Sequence, residues 1–282
     1  MNQRFQLNDW NYYDDGTRTD WLQDSELSVL PEPIAHEYKR IKSLIANGEP
    51  YGALVQLKDT LEITIKFCVL AESARINRKD IKSNDEVAIL KMLTEKPLLL
   101  SHWKIMLEQI NNLDDLSLHM KLVAHHVLQL YTGKADVVAW RNERIGHGAL
   151  GYDDSPDMKK EFLIILEALT SCLRQCLCGF TSMKLECRNE RTDEDSEISS
   201  VYLVIEGQSI DLCLFPFMIY HEQNIYFFDG FVSGKGECDL LCYPLGKKIS
   251  SKKNGDLQIL SKEITLLHQK YQHESNKRNL IK

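Results

Sequence analysis

The sequence predicts an α+β protein: an N-terminal all-α helical bundle, then a small antiparallel β-meander and a C-terminal helix. Apolar residues recur with a helical period from Pro33 to about residue 180. A charged stretch, RNERTDEDSE, begins at Arg188 and contains no candidate core residue. Short runs rich in β-forming residues follow it and are separated by turn sequences. The change of pattern near residue 188 predicts two structural regions.

The helices are predicted from apolar spacing and from residues that begin or end helices. The first helix has apolar residues at i, i+4, i+7 and i+11, namely Ile34, Tyr38, Ile41 and Ile45. Asn47-Gly48 is its stop signal. Ser155 as N-cap and Pro156 at the first helical position begin the last helix of the bundle, which runs to about residue 179. Further helices are predicted over residues 51–74, over 86–110 with a break at Pro97, over 117–131 and over 135–146.

The helix over residues 51–74 is predicted to have a core face and a solvent face. The core face carries Leu54, Leu57, Leu61, Ile65 and Cys68. Lys58, Glu62 and Lys66 follow i, i+4 spacing on the other side of the helix. We therefore expect these three charged residues on the outer, solvent-exposed face.

The C-terminal region is predicted to be mainly strands. VYLVIE, IDLCLFPFMIY, IYFFDGF and CDLLCYP predict a four-stranded antiparallel meander over residues 200–244. A lone meander is only marginally stable, so we expect its apolar face to pack on the bundle or on a partner. KKISSKKNGD is predicted as a basic connection to a last helix at about residues 260–273. The predicted regions are an acidic aromatic arm (1–30), a helical bundle (31–187) and the β-meander with the C-terminal helix (198–282).

Composition narrows the classes of function. The net charge of −7 argues against a protein that binds nucleic acid non-specifically along its length, because such binding needs an excess of Lys and Arg. No run approaches the roughly 18 apolar residues of a membrane span, and the N-terminus is polar, so we expect a cytoplasmic protein without a membrane partner. The eight cysteines are interpreted as buried free thiols in preference to a zinc site. No phosphate-loop, dinucleotide-binding or HExxH motif is present, so neither a metal nor a cofactor is predicted.

Residues 137–148, VVAWRNERIGHG, combine an apolar helical stretch with Arg141, Asn142, Arg144 and His147. Histidine accepts and donates protons near neutral pH, and arginine offers a planar fork of donors to phosphate oxygens. Together they suit metal-independent RNA cleavage. The alternative is a helix terminus capped by glycine, with exposed polar residues.

In the catalytic interpretation Arg141 stabilises charge on the phosphorus, His147 moves the proton and Asn142 assists. Six residues of continuous helix would leave Arg141 and His147 about 120° apart. Gly146 and Gly148, on either side of the histidine, allow it to leave the helical line. A general base contributes about 10² to 10⁴ in rate, and efficient cleavage also needs an acid. We therefore expect a homodimer in which two copies of the motif face each other.

Arg144, Lys247 and Lys248 are candidates for binding RNA phosphates. Each of these three residues also has an interpretation that does not involve RNA. Arg144 is also compatible with a surface ion pair to a neighbouring carboxylate. Lys247 and Lys248 are compatible with a solvated connection. The adjacent His125 and His126 point about 100° apart on a helix, so they are interpreted as structural or surface residues.

Arg141-Asn142-x4-His147-Gly148, carried in a helical bundle, resembles the HEPN (higher eukaryotes and prokaryotes nucleotide-binding) superfamily. The resemblance covers roughly residues 33–180. It implies a metal-independent endoribonuclease of a prokaryotic defence or toxin–antitoxin system, with tRNA or phage RNA as candidate substrates and a composite site in a homodimer. A neighbour-encoded regulatory protein or ATPase is a candidate partner.

Two alternatives to this function stay open. One is a non-catalytic dimerisation or interaction module that senses a trigger or recruits an effector. The other, nucleotide transfer or binding without cleavage, has less support from the motifs.

Overall fold

The computed structural model describes residues 21–95, 97–133, 137–143, 156–188, 198–208, 211–232, 234–243, 247–253 and 255–280. Within these residues the chain forms nine α-helices and a seven-stranded antiparallel sheet, which confirms the predicted α+β class. The helices are α1 (Asp24–Leu27), α2 (Glu32–Ala46), α3 (Pro50–Arg78), α4 (Asn84–Glu95), α5 (Leu100–Asn111), α6 (Leu118–Thr132), α7 (Val137–Arg141), α8 (Pro156–Phe180) and α9 (Gln258–Leu280). The strands are β1 (Met183–Arg188), β2 (Ser199–Ile205), β3 (Leu212–Cys213), β4 (Met218–His221), β5 (Asn224–Val232), β6 (Glu237–Tyr243) and β7 (Lys247–Ser250).

The helix boundaries follow the local signals of the sequence. Asn47 is the C-cap of α2, and the predicted break at Pro97 falls between α4 and α5. The Ser117 hydroxyl accepts a hydrogen bond from the backbone N–H of Met120 at 3.2 Å, and this N-cap begins α6. Pro156 is the first residue of α8, where its fixed φ suits the first helical turn.

Helix α3 is the central helix of the bundle. It has 29 residues, and every residue from Thr60 to Ala74 is buried. Other helices and strands β3 and β5 of the sheet contact it. The predicted solvent-exposed face is therefore wrong for Glu62 and Lys66, which are only 8% and 2% exposed. The physical reason is that a helix enclosed on all sides buries its polar residues along with its apolar ones.

The sheet is larger than the predicted four-stranded meander. Its order is β1-β2-β4-β5-β6-β7, with β3 also paired to β2. Strand β1 follows α8 directly and lies within residues predicted for the bundle. Strand β7 starts at Lys247, where a basic connection was predicted. The last helix, α9, extends beyond the predicted residues 260–273 at both ends.

A β-bulge in β5 brings the sheet against the bundle. The β5–β6 register passes from Phe228↔Leu240 to Gly230↔Asp239 and leaves Asp229 without an opposite residue. Gly230 has a φ of +153° and forms an isolated bridge with Pro97. A Cβ at Gly230 would lie 3.2 Å from the backbone nitrogen of Leu98. Glycine therefore permits the close approach of β5 to the α4–α5 connection, next to Asp229.

The bundle, the sheet and α9 share one hydrophobic core. The described part of the predicted N-terminal arm joins this core through Leu22 and Leu27, which are 0% and 1% exposed. Trp21 packs edge-to-face on Tyr38, with ring centroids 5.9 Å apart. Residues 1–20 of the predicted arm lie outside the described residues.

Among the described residues, one helix, α8, is long and apolar enough to cross a membrane. Its segment Lys160–Phe180 has a mean hydropathy of 1.5, which matches a membrane-spanning helix by length and composition. Half of that segment is buried inside the protein, as in the core helix of a globular domain. Its partners are α6 and, with fewer contacts, α3 and β1.

Candidate functional site

The site predicted from the sequence begins at the C-terminal end of α7. Val137 and Trp140 of this short helix are 0% and 7% exposed, and they fix it to the bundle. Arg141 is its last residue, and Asn142 follows immediately. Arg144, Gly146, His147 and Gly148 lie outside the described residues. The structure therefore describes the arginine and the asparagine of the motif and leaves the position of the histidine a prediction.

The Arg141 guanidinium is held by two acceptors. Its Nε donates to Oε1 of Glu62 on α3 at 3.2 Å. Its Nη1 donates to Oδ1 of Asn142, also at 3.2 Å. The side chain remains 30% exposed. Because a guanidinium has five N–H donors, the group keeps donors for a further acceptor while its orientation is fixed.

Glu62 belongs to a chain of ion pairs that runs from the bundle into the sheet. The second Glu62 oxygen, Oε2, lies 3.3 Å from the Lys66 ammonium. That ammonium lies 2.5 Å from Oδ1 of Asp229, in the β5 bulge. The other Asp229 oxygen lies 2.5 Å from the ammonium of Lys248 on β7. We call this series the ion-pair chain; its members are Arg141, Glu62, Lys66, Asp229 and Lys248.

The middle of the ion-pair chain is removed from water. The side chains of Lys66 and Asp229 are only 3% and 1% exposed. The Lys66 ammonium also lies 5.8 Å from the centroid of the Trp103 ring, within range of a cation–π interaction. The two ends differ, because Lys248 is 64% exposed and Arg141 is 30% exposed. The ion-pair chain thus has a buried centre from which water is excluded, and a solvent-accessible cationic group at each end.

The neighbouring charges decide the ionisation of the buried groups. Burial alone raises the pKa of Glu62, but Lys66, Lys58 and Arg141 outweigh it and hold that pKa at about 2. Burial alone lowers the pKa of Lys66, but Asp229 and Glu62 outweigh it and raise that pKa above its ordinary value. Both groups are therefore charged at neutral pH, and Arg141 faces a permanent carboxylate.

The two predicted lysines of the C-terminal region have different surroundings. Lys248 is part of the ion-pair chain, whereas Lys247 is exposed at the start of the edge strand β7. Successive side chains of a strand point to opposite faces of the sheet. Lys248 therefore faces Asp229, at the opposite end of the ion-pair chain from Arg141, and Lys247 points to the other face of the sheet.

Sequence reasoning missed Glu62, Lys66 and Asp229. The i, i+4 spacing of Glu62 and Lys66 is also typical of an exposed pair, so it did not indicate burial. Asp229 offered a clearer signal, because it is the one charged residue in the apolar run IYFFDGF. A carboxylate within a buried strand requires a cationic partner, and a lysine in a buried helix meets that need.

The histidine pair and the cysteines named from the sequence show no sign of a catalytic or metal site. His126 and His125 both hydrogen-bond to Gln129, at 3.2 and 3.0 Å. All eight cysteines are free thiols, and six are buried, whereas Cys178 and Cys187 are exposed. Over the described ranges, no group of three or more His, Cys, Asp or Glu side chains is arranged to hold a metal ion.

Comparison with known proteins found no matching family model, no matching curated protein and no matching solved structure. The site is therefore interpreted from its own residues. Its distinguishing feature is an arginine that a buried, permanently charged carboxylate orients at the end of a short helix.

Proposed function

We propose that this protein is a metal-independent endoribonuclease of the HEPN type. It acts in the cytoplasm as a homodimer or higher homo-oligomer, in a prokaryotic defence or toxin–antitoxin context. Its substrates are cellular or phage RNAs, with tRNA as one candidate, and a neighbour-encoded regulator or ATPase is a candidate partner. Arg141 and His147 carry the reaction, and Asn142 assists.

The observation that carries this proposal is the fixed orientation of Arg141. Glu62 accepts from Nε and Asn142 accepts from Nη1, so the remaining donors keep one direction in space. A donor that is oriented before the reaction stabilises transition-state charge without reorganisation at the moment of reaction. The charged state of Glu62 supports this role, because a pKa of about 2 keeps its carboxylate available at neutral pH.

The proposed step moves one proton at each end of the reacting phosphate. His147 removes the proton of a ribose 2′-hydroxyl, and the 2′-oxygen bonds to the adjacent phosphorus. The bond between phosphorus and the 5′-oxygen breaks, and His147 of the partner subunit protonates that oxygen. Arg141 stabilises the negative charge on the phosphoryl oxygens. The products are a 2′,3′-cyclic phosphate and a 5′-hydroxyl.

Arg144 and Lys248 supply further phosphate contacts in this proposal, and Lys247 is a weaker candidate. Lys248 is exposed at the sheet end of the ion-pair chain, so its ammonium is accessible to a phosphate. Phosphate neutralisation by such residues gives affinity that falls as salt rises. Because the whole chain has a net charge of −7, this attraction is limited to the surface around these cationic residues.

A second candidate function is a non-catalytic dimerisation or interaction module. One observation favours it: two donors of Arg141 are already used within the chain. In that role the arginine only fixes α7 against α3. The module alternative predicts a folded protein that binds a partner and leaves RNA intact.

The proposal is tested by incubating the purified full chain with tRNA and phage RNA in excess EDTA. We expect cleavage that leaves 2′,3′-cyclic phosphate and 5′-hydroxyl ends, from a protein that is at least dimeric. The same RNA ends are sought in cells that express the chain with its genomic neighbours, so that a required activator is present. Intact RNA in both settings, or cleavage that EDTA abolishes and Mg²⁺ restores, would overturn the proposal.

A further inference from the structure

A concave surface lies in the C-terminal region, apart from the residues of the ion-pair chain. The β5–β6 turn, the 3₁₀ turn Ser251–Lys253 and the first turns of α9 line an open cleft of about 450 Å³. This volume lies within the range of roughly 300–1,000 Å³ that is typical of small-molecule sites. Gly236 has a φ of +61° and makes the tight turn that forms one rim.

The rim of this cleft is cationic. Lys235, Lys252 and Lys262 all line it. Lys252 is neutralised by Glu237, with its ammonium 3.0 Å from a carboxylate oxygen. In the part of the chain that the structure describes, the side-chain ammonium groups of Lys235 and Lys262 have neither an ion-pair nor a hydrogen-bond partner. Two uncompensated positive charges at one concavity attract an anion, in contrast to the net charge of −7 of the whole chain.

The floor of the cleft is built from fixed hydroxyl groups. Ser251 is fully buried, and its hydroxyl lies 2.5 Å from the hydroxyl of Ser261 on α9. The Ser251 oxygen also accepts a hydrogen bond from the backbone N–H of Cys238 at 3.0 Å. These bonds join β6, the 3₁₀ turn and α9, so the walls of the cleft keep their spacing.

One wall of the cleft is apolar. Leu266 lines it with a side chain that is 59% exposed, and the methyl group of Thr265 lies on the same helix. An exposed leucine beside unpaired lysines offers an apolar contact and an anionic contact within one cleft. A ligand that combines both properties fits better than a free inorganic anion.

We propose that this cleft binds a small organic phosphate. The phosphate lies between Lys235 and Lys262, and the apolar or aromatic part of the ligand packs on Leu266. This site does not depend on the proposed RNA cleavage, because none of its residues belongs to the Arg141 motif. The lining places two unpaired ammonium groups beside one exposed leucine, which suits the single phosphate and the apolar part of a small molecule.

The test is calorimetric titration of the full chain with adenosine 5′-monophosphate, adenosine and inorganic phosphate. We expect the monophosphate to bind at least about tenfold more tightly than either fragment, since it makes both kinds of contact. Binding should weaken as salt rises. The double variant Lys235→Gln/Lys262→Gln should weaken monophosphate binding by roughly tenfold or more, because it removes two charge-assisted contacts.

Two control variants sharpen the result. Lys121→Gln removes an exposed lysine on α6, outside the cleft, and should leave monophosphate binding unchanged. Leu266→Ala should weaken binding of the monophosphate and leave that of inorganic phosphate unchanged. The proposal is overturned if the monophosphate does not bind, or if Lys235→Gln/Lys262→Gln binds it as wild type does. It is also overturned if these lysines are needed only for binding an RNA oligonucleotide.

Discussion

Helix α3 contributes to two groups of charged residues, and the aspartates of the two groups differ in their access to water. The first is the ion-pair chain through Glu62 and Lys66. The second, which we call the α3 C-terminal cluster, consists of Glu72, Arg75, Lys79, Glu86 and Asp115. In each group one aspartate forms ion pairs with two cations: Asp229 with Lys66 and Lys248, and Asp115 with Arg75 and Lys79. Asp229 is 1% exposed, whereas Asp115 is 47% exposed.

This difference determines what each group does for the protein. Water screens the contacts of Asp115, so the loss of its charge is largely compensated by solvent. Water cannot reach Asp229, so the buried charges of the ion-pair chain, Glu62, Lys66 and Asp229, depend on their neighbours. The ion-pair chain therefore joins the sheet to α3 and orients Arg141, while Asp115 pairs at the solvent-exposed side of a cluster in which Glu72 and Glu86 are buried.

The largest expected effect on stability is that of Asp229→Asn in the ion-pair chain. The same substitution at Asp115, in the α3 C-terminal cluster, is its comparison. Asp229→Asn leaves the buried Lys66 ammonium with one carboxylate fewer, and we expect a loss of about 3–5 kcal/mol in the free energy of unfolding. Asp115→Asn should cost less than about 1 kcal/mol. Urea unfolding of the two variants and of wild type measures both values. Equal losses would contradict the distinction between a dry and a solvated group.

The pH dependence of stability should have opposite signs at two glutamates of α3. The pKa of Glu62 is lowered from 4.5 to about 2 in the folded protein, where three cations outweigh burial. Its contribution is present above pH 4.5 and is lost as the pH falls toward 2. Burial outweighs Arg75 at Glu72 and raises the pKa of that group from 4.5 to about 7. The contribution of Glu72 is therefore present below pH 4.5 and is lost as the pH rises toward 7.

Two glutamine variants measure these contributions separately. Glu62→Gln should lose stability relative to wild type as the pH rises from 3 to 5, by an amount on the order of 2 kcal/mol. Glu72→Gln should gain stability relative to wild type between pH 5 and 8, by a similar order. Urea midpoints across this pH range provide the measurement. Parallel curves for the two variants would show that their environments do not differ as described.

The smallest effect on stability is expected at the exposed end of the ion-pair chain. Lys248→Gln removes a side chain that is 64% exposed, so it should cost less than about 1 kcal/mol, and less still at high salt. If Lys248 contacts RNA, the same variant should lower RNA affinity and reduce the slope of log affinity against log salt by about one. Lys184→Gln, at a lysine that is 75% exposed on β1, is the control and should leave that slope unchanged.

The helical part of the fold was predictable from the sequence because its signals are local. Helices α2 to α6 and the start of α8 were predicted from periodic apolar residues and from Pro or Gly residues at helix ends. Strands β1 and β7 were not predictable, because MKLECR and KKIS are short, partly charged edge segments whose structure depends on pairing with β2 and β6.

The candidate site was predictable only in part. Arg141 and Asn142 were found from their residue types at a helix end, and the role of His147 stays a prediction. Glu62 was assigned to the solvent, because its burial depends on the sheet packing against α3, and no local pattern in α3 reports that contact. The β5 bulge that directs Asp229 toward Lys66 likewise arises only when β5 pairs with β6.

The proposed chemistry is tested most directly by single-turnover RNA cleavage in EDTA with wild type, His147→Ala and His126→Ala. His126 lies on α6 and bonds to Gln129, so its variant is a matched control for the loss of a histidine. We expect His126→Ala to cleave at the wild-type rate and His147→Ala to be slower by about 10² to 10⁴. A folded, dimeric His147→Ala protein that cleaves as fast as wild type would contradict the assignment of His147 as the group that moves the proton.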